Sequence, residues 1–179
     1  MKRTLALLLI GIAAPMVQGA MNTFVPARFT PDLGFLIVIG LGLHWRSAAG
    51  GLAMSAALGF VADLLSGSLL GEHALLRLLA FGVARSASRR LNLRGSLPQA
   101  IFVLFFTAVN VLGIGVLNTF FTSGGGFDMV TLRDLLPHAS INALFAPLVS
   151  RVVEVVATSL GDDEGGRRML HLEPRSRPA

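Results

Sequence analysis

Asp63 and Arg77 are the ionisable residues set deepest in apolar sequence, one on each side of the turn Ser66–His73. A carboxylate and a guanidinium in such a setting could relay protons or ions, or could neutralise each other across a hairpin. An isolated charge in lipid is costly, so such side chains pair, face a helix bundle interior or reach the interface. A relay needs further acidic residues at the same depth, and the sequence offers none; a structural Asp63–Arg77 pair is the expectation. Glu72, His73, Asp134 and His138 carry metal-ligating atoms. A zinc site needs three or four of them to converge, and these come from distant segments, so no metal is expected. Asn110, Asn118 and Asn142 are polar positions in otherwise apolar runs, with Asn142 close to Pro147. Hydrogen bonds between helices account for them without a substrate.

Signals for catalysis are missing. Gly124-Gly125-Gly126 is not followed by Gly-Lys-Ser/Thr, and there is no Gly-x-Ser-x-Gly elbow or His-Glu-x-x-His pair. The chain has no Cys, which excludes thiolate nucleophiles and disulfides. No enzyme activity and no cofactor is expected.

The elements that must carry these residues are apolar. Of 179 residues 53% are hydrophobic and only 14% charged, and the mean hydropathy is +0.70. That leaves too little polar surface to cover a soluble fold, so the chain reads as an all-α polytopic membrane protein. Six apolar segments can be marked: Thr4–Phe24, Pro31–Trp45, Ser47–Leu65, Ala74–Ser88, Leu97–Phe121 and Leu136–Val156. The first imitates a secretory signal at Val17-Gln18-Gly19, but a retained first helix is expected. The second is short, which predicts local bilayer thinning or partial burial among its neighbours. Thr30 is its expected cap, with Pro31 at the first helical position, Asp32 at the positive end of the dipole, and Trp45-Arg46 as a headgroup anchor. Gly51, Ser55, Gly59 and Asp63 recur every four residues on the third segment, a face that lets helices approach closely.

The net charge of +5 would suggest nucleic acid in a soluble protein, but here the basic residues sit between and after apolar runs. Six spans with the N-terminus inside place Lys2, Arg3, Arg46, Arg85, Arg89, Arg90, Arg94, Arg151, Arg167, Arg168, Arg175 and Arg177 on the cytoplasmic side. That is twelve of the fifteen basic residues; Arg28 and Arg133 fall outside and Arg77 within the membrane. No nucleic-acid partner is expected, and anionic lipid headgroups are. Residues 1–160 are read as a single transmembrane domain with both termini cytoplasmic. Residues 161–179, rich in charge, Gly and Pro, are read as a disordered cytoplasmic tail.

Several of these residues together resemble a known family. Pro31-Asp32-Leu33, the Gly-rich third segment, Asp63-Leu64-Leu65-Ser66-Gly67, Leu70-Gly71, Ala74-Leu75, the basic cluster after the fourth segment, Asn142 and Ala146-Pro147-Leu148 are similar to MreD, the bacterial rod shape-determining family. The likeness spans Pro31–Val156. It implies a noncatalytic inner-membrane scaffold of the cell-wall elongation machinery, with MreC as closest partner beside MreB, RodA and a penicillin-binding protein. It also implies a fold like the substrate-binding subunits of energy-coupling-factor transporters. Pro31, Asp32, Gly59, Asp63, Gly67 and Gly71 match the family's motif positions; with Arg77 and Asn142 they are the candidate structural or partner-docking residues. Glu72-His73 departs from the pattern, which leaves the turn's role open. The alternative reading, from the shared fold, is a vitamin-binding transporter subunit, for which Trp45 at the inner edge and the absence of Tyr furnish the pocket poorly. A lipid-modifying enzyme lacks its acidic or metal-binding motifs.

Overall fold

A computed structural model describes residues 2–67, 69–93, 95–121 and 129–159. Arg94, the Gly124–Gly126 loop and the tail 161–179 lie outside them. Among the described residues the chain is helical throughout, with no strand. The helices are α1 (Lys2–Asn22), α2 (Leu33–His44), α3 (Ala48–Ser66), α4 (Glu72–Arg90), α5 (Ser96–Phe121) and α6 (Met129–Ser159), with a 3-10 turn at Ala27–Phe29 before α2. Among the described residues four stretches are long and apolar enough to cross a membrane: Thr4–Asn22, Ala48–Ser66, Ser96–Phe121 and Arg133–Thr158.

The short second segment becomes the centre of the bundle. At about 1.5 Å per residue its twelve residues rise only about 18 Å. Nine of them, Gly34 through Gly42, are buried, mainly between α4 and α6. Its glycines let those neighbours close in: a Cβ at Gly40 would stand 3.1 Å from Val153 of α6, and one at Gly42 only 2.6 Å from Ala84 of α4. Around it Phe35, Ile37, Val38, Leu41, Phe81 and Val153 form the core. The helix is inside protein on every side, so its length need not match a bilayer.

Its ends differ from expectation. Asp32, not Thr30, is the N-cap: its carboxylate accepts from Phe35 N at 2.9 Å, and Pro31 stays outside the helix. Thr30 instead closes the preceding 3-10 turn, its N–H bonded to Ala27 O. At the other end Trp45 is 7% exposed and belongs to the core, so it is not a headgroup anchor. Arg85 of α4 donates to the carbonyls of Trp45 and Arg46 at 2.7 and 2.9 Å. A guanidinium thus satisfies carbonyls that the helix end leaves without donors.

The small-residue face of α3 packs as its spacing predicts. Gly51, Ser55, Gly59 and Asp63 are all buried. The Phe81 ring lies over Gly51, and Gly59 lies against the backbone of Ala74 and His73. Ser47 caps the start of α3 through Gly50 N at 3.2 Å. The turn to α4 needs two left-handed residues, Gly67 (φ 66°) and Gly71 (φ 95°), where any side chain would strain the backbone.

Candidate functional site

One group of buried polar side chains lies toward the end of the bundle that carries the α3–α4 turn; His44, Gln99 and Ser150 lie toward the other end. Asp63, one turn before the end of α3, has a fully buried side chain. Its carboxylate accepts from Gly71 N (2.9 Å) and Ala74 N (3.3 Å) on one oxygen. The other oxygen takes His73 N (2.8 Å) and His73 Nδ1 (2.9 Å). Three of those donors are backbone N–H groups around the start of α4, which that helix cannot satisfy itself. Asp63 is therefore the cap of the following helix, supplied from across the turn.

The expected Asp63–Arg77 pair does not form. Arg77 sits more than a turn into α4 and points to α2 instead. Its Nη1 donates to Leu58 O at 2.6 Å, and its Nη2 lies 3.5 Å from Asp32 Oδ1. Asp63 already has four donors, and Arg77 is held where Gly34 leaves room: a Cβ there would stand 2.7 Å from Nη2. The arginine is 4% exposed, so its charge is balanced inside the bundle by Asp32.

Asn142 joins α6 to this network. It is fully buried, and its Oδ1 accepts from Asp32 N at 2.8 Å. Its Nδ2 donates to Thr107 Oγ1 of α5 at 3.4 Å and to His138 Nε2 at 3.3 Å. Glu72, also buried, accepts from Asn118 Nδ2 of α5 at 3.1 Å, and its Oε2 has no hydrogen-bond partner. Asn118 and Asn142 thus bond between helices, as their sequence setting suggested. His73 and His138 are engaged by different partners, and the described residues contain no group of three or more potential metal ligands.

Of the eight residues singled out from sequence, Asp32, Arg77 and Asn142 meet directly, with Pro31 buried beside them. Asp63 and Gly71 meet in the neighbouring turn, where Gly67 bonds its N–H to Asp63 O. Gly59 is set one turn below, against α4. Between the two networks lies a cavity of about 220 Å³, lined by Gln18 and Asn22 of α1, Asp32, Ser66, His73 and Arg77, with Pro15, Gly19, Ala62 and Leu65. Gln18 and Asn22 were not singled out from sequence. Their spacing of four along an apolar helix, which puts two amides on one face, was the available signal. The geometry offers acceptors, donors and one buried cation.

Comparison with known proteins gives a family match. The model of a family described as rod shape-determining protein MreD covers residues 1–156. No curated protein and no solved structure matches the chain.

Proposed function

The chain belongs to the MreD family of rod shape-determining membrane proteins, and from that premise we propose that it is a noncatalytic scaffold of the cell-wall elongation complex. In this role it links the MreB cytoskeleton and MreC to the peptidoglycan synthases RodA and a penicillin-binding protein. The family match across nearly all the described chain carries the reading. The hydrogen bonds of Asp32, Asp63, Arg77 and Asn142 support it, because they run to one another, to side chains of neighbouring helices and to the backbone. Asp63, Gly67 and Gly71 shape the α3–α4 turn, Gly59 sets the α3–α4 approach, and Pro31, Asp32, Arg77 and Asn142 tie α2 to α4 and α6. The rigid surface they hold is the docking face for partners.

The same proposal places residues 1–160 in the inner membrane as one six-helix domain of the energy-coupling-factor subunit type, with 161–179 as a cytoplasmic tail. In it the enclosed α2 and the partly exposed α4, whose Leu75, Leu79 and Val83 face outward, complete the passage of the chain. Reporter fusions after Ser123 and at the C-terminus are expected to report opposite sides of the membrane. Reports from the same side would overturn the arrangement.

Purification from mild detergent with mass spectrometry of co-purifying proteins tests the function. Recovery of MreC and penicillin-binding proteins is the expected result. Recovery of an ATPase module with a bound vitamin would replace the scaffold with a transporter subunit.

A further inference from the structure

The cavity between α1 and the α2–α4 network is more polar than packing requires, and several of its groups lack protein partners. Arg77 has five N–H donors, yet within the described residues it bonds only Leu58 O and, at 3.5 Å, Asp32 Oδ1. That second distance exceeds the 2.7–2.9 Å usual for a charge-assisted bond, so the ion pair is slack. Asp32 Oδ1 takes both Phe35 N and Arg77, which leaves Oδ2 unpaired. Gln18 and Asn22 have no side-chain hydrogen bonds to the described residues and line the same space. A cation, an anion and two amides therefore converge from three helices on one small volume.

The space is also open sideways. α1 meets α3 lower down, where a Cβ on Gly11 would crowd Leu58. At the cavity the two helices part: Gly19 is exposed with nothing within 4 Å of its Cβ position, and Leu65 is 59% exposed. In a bilayer this gap faces lipid at the level where apolar helix gives way to a turn.

We propose that the cavity binds a phosphoethanolamine group. The phosphate takes the spare Arg77 donors together with the amides of Gln18 and Asn22, and the primary ammonium donates to Asp32 Oδ2. A singly charged anion would meet Asp32 as well as Arg77, and a cation the reverse, so a zwitterion fits the paired charges best. A choline ammonium has no N–H and leaves Asp32 unpaired. The group reaches the site on a phospholipid through the α1–α3 gap or as free glycerophosphoethanolamine. Neither the family membership nor the scaffold role is needed for this inference.

The test uses the full chain in nanodiscs that contain phosphatidylcholine, phosphatidylethanolamine and phosphatidylglycerol, followed by mild extraction and native mass spectrometry of retained lipid. The wild type is expected to retain phosphatidylethanolamine over phosphatidylcholine by about tenfold, the effect of one hydrogen bond to a charged group. Asp32→Asn keeps a good helix cap but removes the anion. It is expected to lose that preference and retain phosphatidylglycerol instead, because Arg77 is then unbalanced. Gln18→Leu with Asn22→Leu, on the less buried face of α1, is expected to weaken retention without inverting it. A rise in melting temperature in pure phosphatidylcholine discs on adding glycerophosphoethanolamine, without retention of the lipid, assigns the site to the free compound. Equal retention of ethanolamine and choline lipids by the wild type, with no response to the soluble compound, overturns the proposal. So does an ethanolamine preference that Asp32→Asn leaves unchanged.

Discussion

Gly59→Leu is expected to abolish accumulation of folded protein in the membrane, while Gly82→Leu leaves it near the wild-type level. The contrast comes from what each new side chain meets. A Cβ on Gly59 would collide with Cα of Ala74, and would stand 2.7 Å from Ala74 N and 2.8 Å from His73 O. These are backbone atoms at the start of α4, so no rotamer change relieves the overlap. A Cβ on Gly82 meets nothing within 4 Å. Overpacking usually costs about 1–3 kcal/mol when side chains can yield. Against backbone, even Gly59→Ala should reach the top of that range, and leucine must part the helices. The parting would also pull the N–H groups of His73 and Ala74 away from Asp63. Fluorescence-detected size exclusion of detergent extracts reads the outcome, and equal folded yield for Gly59→Leu and Gly82→Leu would remove the close-packed stripe.

The second large effect is at Asp63. Its four bonds all come from donors, so the site needs an acceptor on both oxygens. Asparagine matches aspartate in shape but cannot accept on both sides. An asparagine must turn its NH2 toward N–H groups on one side, and the Gly71 and Ala74 pair has no acceptor to offer. A stranded buried donor costs about 1–3 kcal/mol. Asp63→Asn is expected to lower thermal stability clearly, and Asp63→Leu, which strands every donor, to prevent folding. His73→Ala should be the mildest, since three backbone donors remain on the carboxylate. Thermal melts in detergent and rod-shape complementation at matched membrane levels measure the order. An Asp63→Asn protein that melts like the wild type but fails complementation would indicate chemistry that depends on the charge, and the capping role would have to yield.

The helices themselves were legible because their punctuation is strong. Ser47 before α3, the glycines at 67 and 71, and the Arg-rich end of α4 mark boundaries that the structure places within a few residues of those read from sequence. The close face of α3 was legible as well, since small residues every four positions favour close helix packing in lipid over a surface for an outside partner. The place of α2 was legible only in part: its shortness pointed to a thinned bilayer or to partial burial among neighbours, without choosing between them. In a soluble protein an apolar stripe shows which side of a helix faces the core. In a membrane both the lipid side and the core side are apolar, so α2 carries no pattern that distinguishes enclosure from exposure. The partners of Asp63 and Arg77 were misjudged for a related reason. Their spacing around the turn fixes how deep each lies but not the direction each faces about its helix axis, and Arg77 faces α2. Gln18 and Asn22 were passed over because they sit in a run that imitates a cleaved leader.

The enclosure of α2 also sets a schedule for biogenesis. Its two principal neighbours are α4 and α6, and α6 begins at Met129, roughly a hundred residues downstream. At a synthesis rate of about 5–20 residues per second, that interval lasts about 5–20 s. Throughout it the ribosome-bound chain holds a twelve-residue helix too short to span the bilayer alone, with the slot for α6 still vacant. Closure of this centre therefore waits for α6, and a chain that stalls after α5 has no means of closing around it.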